Sequence, residues 1–292
     1  MIALILFIPF LAAFIIAILP KALENQSKNL ALFASIINFI ISIPILLISD
    51  LSAGQYIGAN EVIWAQNLFP FEIKFSVGAD ALALILVILT NLLTIAGVSI
   101  SFQIKERLYF VWLMILQGSI IGVFASINLI QFFIFWELEL VPMFMLINFW
   151  GTGNREYSAM KFVLYTLVAS AFILIGVILL GYSANSFNII AINNSGFLVE
   201  SWIVIFAFWT LLIGFLIKLP IFPFHTWLPD AHTDAPTAVS VILAGILLKM
   251  GGYGIIKIVL PTMGYLLNDY GAFLGFLGAV SIIYGAIQTL KQ

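Results

Sequence analysis

The sequence predicts an all-α, polytopic transmembrane helix bundle, and three observations predict it. Hydrophobic residues make up 63% of the 292 and charged residues only 8%, with a mean hydropathy of +1.19. A water-soluble domain of this size has too little interior for so much apolar surface, and a bilayer supplies the missing solvent. The apolar residues also fall in runs of about 20, the length that crosses ~30 Å of hydrocarbon at 1.5 Å per residue. Finally, lysine and arginine cluster on alternate sides of those runs.

The runs lie near 2–19, 29–48, 79–102, 108–127, 129–149, 159–182, 201–224, 236–258 and 271–290. The first has neither a charged leading region nor a small-residue cleavage site, so it reads as a retained helix. The longest polar connection, about 49–78, carries Asp50, Glu61 and Glu72 with Lys74 as its sole base. With the N-terminus outside, the inner loops hold Lys21, Lys28, Lys105, Arg107, Arg155, Lys161 and Lys291, and the outer loops hold only Lys74. Lys218, Lys249 and Lys257 fall inside spans. That asymmetry sets the orientation, and one missed helix would scramble it. Trp150, Trp202 and Trp227 are expected at the membrane interfaces, where indole is favoured.

Several classes are excluded. No basic run suggests nucleic acid, and the formal net charge is −2. Without cysteine there is no disulfide, iron–sulfur cluster or thiolate metal site, so any redox chemistry belongs to a partner. No glycine-rich phosphate loop, nucleophile elbow or HExxH motif is present.

The informative residues are charges inside the spans. An ionised side chain at the bilayer centre costs ~2.5–3.5 kcal/mol even on the lenient insertion scale, so such groups face protein, water or each other and mark function. Glu137 and Glu139 stand in Phe135-Trp-Glu-Leu-Glu-Leu-Val-Pro142. On one continuous helix they point about 200° apart, so only one can line a given pathway. Lys218 precedes Pro220 and Pro223, whose missing N–H groups free the carbonyls of Leu216 and Leu219. Broken helices of this kind line ion sites in transporters, while the competing reading is a helix end with Lys218 snorkelling to the inner face. Lys249 is too central to snorkel easily, and Gly245 and Gly252 on its face leave room for a helix or a water file. Desolvation favours the neutral form of an amine and a nearby carboxylate favours the charged form. That competition lets a buried lysine exchange protons. His225 and His232 read either as a proton relay toward Lys249 or as loop-packing residues, and their spacing is a poor metal signature. Asp230 belongs to the same cluster, and Asp234 before Pro236 suits a helix N-cap.

These segments resemble a known family. Phe135–Pro142, Ile217-Lys-Leu-Pro220, Pro223–His232 and Ala235–Gly254 are similar to the antiporter-like, chain-4-type membrane subunits of respiratory complex I, called NuoM in bacteria and NdhD in cyanobacteria and plastids. The resemblance implies an antiporter-like fold with a proline-broken seventh helix. It divides the chain into an N-terminal three-helix segment (1–107), a first five-helix repeat (108–258) and the start of a second, inverted repeat (259–292). It implies an essential glutamate at Glu137 that pairs with Lys218, a central lysine at Lys249 and a place for His232 in the proton pathway, and it leaves Glu139 structural. It further implies a proton-translocating NAD(P)H–quinone oxidoreductase in which partner subunits carry flavin, iron–sulfur clusters and quinone and this chain carries no cofactor. The expected neighbours are other membrane subunits, antiporter-like ones among them. The expected location is the bacterial cytoplasmic membrane or the thylakoid. Family members run to about fourteen helices, so a fragment is expected here, lacking the exit residue of helix twelve. The rival reading is a subunit of a multi-subunit cation/proton antiporter, and a third is a structural membrane subunit with inert ion pairs.

Overall fold

The computed structural model describes residues 1–48, 56–65, 73–194 and 202–290, and Asp50, Glu72 and Lys291 lie outside them. Helices α1 (Ile2–Ile18), α2 (Ser27–Ile48), α3 (Ala81–Ile100) and α4 (Arg107–Ala125) form the first group. The fifth span is split into α5 (Leu129–Leu138) and α6 (Leu140–Trp150), and α7 (Arg155–Ala184) follows. A short outer helix, α8 (Ile189–Asn194), precedes α9 (Trp202–Lys218) and an inner helix, α10 (Leu228–Asp234). The eighth leg comprises α11 (Thr237–Ile242), α12 (Leu248–Gly254) and α13 (Leu260–Met263), joined by π turns at Leu243–Leu247 and Ile255–Val259; α14 (Leu267–Leu290) closes the chain. Among the described residues six helical runs are long and apolar enough to cross a membrane, and α1 and α9 are shorter apolar helices. The run from Thr237 to Leu290 is two antiparallel legs, because Tyr270 packs on Trp209 while Tyr284 packs on Phe222, which makes α14 parallel to α9. The chain is an integral, multi-pass membrane helix bundle.

The polar connection departs from the all-helical expectation. Its described part is an antiparallel hairpin, β1 (Ile57–Ala65) and β2 (Ile73–Ala79), pairing Glu61 with Ser76 and Ile63 with Lys74. The loops gather at two ends as the alternation of spans expected, and the charge rule names those ends inner and outer. Lys28 donates to the Phe102 carbonyl (3.2 Å), Arg107 to the Leu19 carbonyl and Trp150 to Glu106 (2.9 Å), so these loops share one end. The hairpin shares the other end with residues 126–128 and 186–189 through the Val77–Ser126 and Asn128–Asn188 bridges. Lys257, read as a residue inside a span, sits at this outer end. It pairs with Asp80, whose other oxygen caps α3 at the Ala83 amide (2.9 Å). Trp227 is not an interface anchor either. It is fully buried, and its indole N–H donates to the Ile217 carbonyl (3.1 Å), while Trp202 is exposed.

Hydrocarbon gives helices no hydrophobic reason to associate, so polar contacts and close packing hold them together. Asn38 donates to the Ile5 carbonyl (3.0 Å) and to Asn91 (3.3 Å), and Gln117 donates to Asn91 (2.8 Å) and accepts from Ser35 (3.2 Å). This joins α1 to α4 through buried amides. At α12 the packing is close: a Cβ on Gly251 would stand 2.7 Å from the Phe215 carbonyl and 3.0 Å from the Leu219 amide. Those are backbone atoms, which cannot turn aside. Gly251→Ala is therefore expected to destabilise the bundle by ~1–3 kcal/mol. Thermal unfolding in detergent measures it, and an unchanged midpoint would contradict this packing.

Candidate functional site

The site forms where two broken helices meet. Pro142 has no N–H to offer the Leu138 carbonyl, and its ring crowds that carbonyl. The span is accordingly interrupted between α5 and α6 at Glu139, where one helical hydrogen bond is lost although the backbone keeps a helical course (φ −69°, ψ −25°). Opposite, α9 ends at Lys218 ahead of Pro220, and residues 219–227 run as turns. Two carbonyls at the end of α9 find replacement partners: the Ile221 amide donates to the Leu216 carbonyl (3.1 Å), and the Trp227 indole N–H donates to the Ile217 carbonyl (3.1 Å). A membrane-depth break persists only with such replacements.

Lys218 forms an ion pair with Glu139, and both side chains are completely buried. The ammonium also lies over the rings of Trp136 (5.4 Å) and Phe162 (5.5 Å), a cation–π cradle that supports charge in a dry place. The snorkelling reading of Lys218 is thus overturned. So is the expected partner, since Lys218 pairs with Glu139 and not with Glu137. The two carboxylates do point apart, as residues two apart on a helix must: Glu139, whose backbone stays helical (φ −69°, ψ −25°) and accepts from the Met143 amide (3.2 Å), faces Lys218, and Glu137 faces the groove against α7. Glu137 lies within electrostatic reach of Lys218 and beside Ser170 of α7. It is half-buried and lines an open apolar groove of about 470 Å³ with Val141, Phe144, Met160 and Val163. Glu137 Oε1 and Glu139 Oε2 are buried without a protein hydrogen-bond partner.

Lys249 lies elsewhere. It was expected in the interior, but its side chain is exposed on the uncovered face of the eighth leg and donates to the Ala244 carbonyl (2.5 Å). Of its two glycines, Gly245 packs on Leu93 of α3 while Gly252 faces open space, with only the end of Leu219 nearby (3.9 Å). His232, also exposed, is in hydrogen-bond contact through Nδ1 with Ser240 Oγ, one turn before Ala244. His232, Ser240 and Lys249 therefore occupy one side of this leg. Sequence reasoning missed Ser240, although a hydroxyl at i+8 from a histidine beside a helix start was its only signal. His225 is apart from them, stacked on Phe222 and edge-on to Tyr284 (4.8 Å) with Nδ1 unbonded. Asp234 is not an N-cap. Pro236 holds that position, while Asp234 ends α10, accepts from Ser158 (2.5 Å) and, through its carbonyl, from the Thr152 amide (2.8 Å). Together with Asp230, which accepts from Lys161 (2.6 Å), it clamps α10 to the start of α7. Among the described residues no group of three or more His, Cys, Asp or Glu is placed to hold a metal.

A multi-pass bundle with an isolated lysine–carboxylate pair between two proline-broken helices has the architecture of antiporter-like membrane subunits. The chain belongs to the NADH:quinone oxidoreductase/Mrp antiporter transmembrane family, whose match covers residues 126–292. It is 38% identical over 275 residues to NADH-quinone oxidoreductase subunit M of Rickettsia prowazekii, an alignment covering 93% of this chain and 55% of that protein. To NAD(P)H-quinone oxidoreductase chain 4 2 of Thermosynechococcus vestitus it is 37% identical over 292 residues, covering 98% and 54%. The chain thus spans about half the length of the curated relatives it matches. The same fold occurs in a chain of respiratory complex I from Thermus thermophilus with bound NADH, at a TM-score of 0.83 and 23% identity over 98% of this chain and 58% of that one. It occurs again in the archaeal membrane-bound sulfane sulfur reductase (TM-score 0.80, 18% identity, 98% and 46%).

Proposed function

We propose that this chain is the proton-translocating part of a chain-4-type (subunit M) membrane subunit of an NAD(P)H–quinone oxidoreductase, driven by electron transfer in partner subunits. The observation that carries the reading is the Glu139–Lys218 pair, fully buried within a membrane-spanning bundle. Such a pair rarely adds stability over an apolar replacement. Its use is in exchange: a proton moving between amine and carboxylate removes both charges at once, which a dry site favours. Glu137, Lys218 and Lys249 carry protons in this scheme, with Glu139 as the direct partner of Lys218. His232 and Ser240 relay protons along the eighth leg, and His225 serves at the inner end of the broken segment. Glu137 on its open groove suits contact with a neighbouring antiporter-like subunit. Flavin, iron–sulfur clusters and quinone belong to other subunits. The membrane is the bacterial cytoplasmic or the thylakoid membrane.

Purification of the full-length protein under mild conditions tests this. It is expected to bring flavin- and iron–sulfur-containing subunits and quinone-dependent NAD(P)H oxidation. Sodium/proton exchange by a preparation with no redox subunit would overturn it in favour of a cation/proton antiporter. If His232 and Ser240 act as one relay, His232→Ala and Ser240→Ala each slow proton pumping by ~10-fold or more, and the double variant is no slower than the worse single. Independent, multiplying losses would separate the two residues.

A further inference from the structure

The segment between α9 and α10 leaves helical hydrogen bonding at Pro220 and Pro223, which have no N–H to give. The amides of Leu219, Ile221 and Phe224 stay within it and the end of α9, donating to the carbonyls of Phe215 (2.8 Å), Leu216 (3.1 Å) and Ile221 (2.7 Å). The Phe222 amide turns outward instead and donates to Ser281 Oγ on α14 (3.1 Å). Ser281 gives its own proton to the Leu277 carbonyl one turn back (2.9 Å), which leaves an oxygen lone pair for Phe222.

One turn further along the same side of α14, Tyr284 packs on Phe222 (ring centroids 5.1 Å apart) and edge-on to His225 (4.8 Å, 65°). Its hydroxyl accepts from Gln288 a further turn on (3.0 Å), so Ser281, Tyr284 and Gln288 form one stripe. His225 is half-buried, and its Nδ1 is buried with no hydrogen-bond partner among the described residues. Aromatic contact orients the ring instead, with Phe222 stacked at 5.7 Å and Tyr284 edge-on. Thr226, next in sequence, meets the Tyr165 hydroxyl (2.6 Å), so the segment is tied to α7 as well as to α14. Helix α14 buries no residue completely, and hydrocarbon alone gives it no reason to pack here. The stripe is a specific contact.

We propose that α14 is a strap on the broken helix, in which Ser281 fixes the Phe222 amide and Tyr284 fixes the His225 ring. Both are then positioning residues for proton exchange at His225. The proton role of His225 rests on the function proposed above, whereas the strap itself does not. Without the hydroxyl a part-buried amide loses its partner, and the segment opens more often. Without the Tyr284 ring, His225 loses one of the two faces that orient it.

The chain contains two histidines, so His232 serves as the reference for His225. Carbethoxylation of the full-length protein by diethyl pyrocarbonate, read by mass at each histidine, measures how often the segment opens. Ser281→Ala and Tyr284→Leu are each expected to speed modification of His225 relative to His232 by about fivefold, the shift that loss of one hydrogen bond or ring contact brings. Ser281→Thr keeps the hydroxyl and Tyr284→Phe keeps the ring, so both are expected to retain the slow rate. Protons pumped per quinone reduced are expected to fall in Ser281→Ala and Tyr284→Leu and to stay high in the two conservative variants. In a His225→Ala background neither Ser281→Ala nor Tyr284→Leu lowers pumping further, because both act through His225. Unchanged labelling in Ser281→Ala and Tyr284→Leu would overturn the strap. A loss of pumping that adds to that of His225→Ala would overturn the positioning role and leave a structural contact. Normal pumping by His225→Ala alone would refute the proton role of that histidine, and the labelling, which needs no turnover, would still decide on the strap.

Discussion

Lys218→Met is expected to abolish proton pumping and to weaken the bundle by ~3–5 kcal/mol, because it strands a carboxylate in a site built for a pair. Both side chains are completely buried, and no solvent screens the orphan that remains. The double variant Lys218→Met/Glu139→Leu separates the two effects. Replacing a whole buried pair with apolar side chains is typically neutral or stabilising by ~1–4 kcal/mol, so thermal stability returns while pumping stays lost. Lys218→Arg adds a third arm. Guanidinium keeps its proton at all relevant pH, so a role confined to structure or fixed charge would tolerate it, whereas proton exchange would not. Pumping by reconstituted full-length complex, measured beside quinone reduction, reads all three. Pumping in the double variant would show that the pair is inert.

Lys249→Ala is expected to show the opposite balance: pumping lost, stability of this bundle nearly unchanged. The side chain is exposed and donates to one carbonyl of its own helix, and substitutions of that kind stay within ~0.5 kcal/mol. Lys249→Arg is expected to fail as well, for the same reason as at Lys218. Normal amounts of assembled complex with absent pumping would fit this account, and loss of assembly would favour a structural role for Lys249. Together the two lysines predict a dissociation, since one variant loses stability and function and the other function alone.

Much of this was legible before any coordinates. Apolar runs and the placement of lysine and arginine are one-dimensional properties imposed by the bilayer, so helix positions and the two ends followed from them. The intramembrane charges were equally visible, because hydrocarbon makes each of them conspicuous. Partner choice was not legible. Helical phase said that only one of Glu137 and Glu139 could face a given pathway, and the family resemblance pointed to Glu137. Which of them meets Lys218 depends on how the fifth span is turned against α9, which no local pattern encodes. Burial of Lys218 depends on Trp136 and Phe162, which come from two other helices. Lys257 with Asp80 joins residues 177 apart, and Ser240 matters only because α10 brings His232 back onto the eighth leg. The hairpin was hidden in a connection whose polarity announced a loop and nothing more. Exposure of Lys249 is a property of which faces this chain covers, and no local pattern encodes that.

Infrared difference spectroscopy of the full-length complex, triggered by reduction, tests the central claim most directly. If a proton moves between Lys218 and Glu139 during turnover, a protonated-carboxyl stretch must rise or fall, and it must vanish in Glu139→Gln while persisting in Glu61→Gln at the outer surface. A difference spectrum that Glu139→Gln leaves unaltered, in a complex that still pumps, would contradict the account.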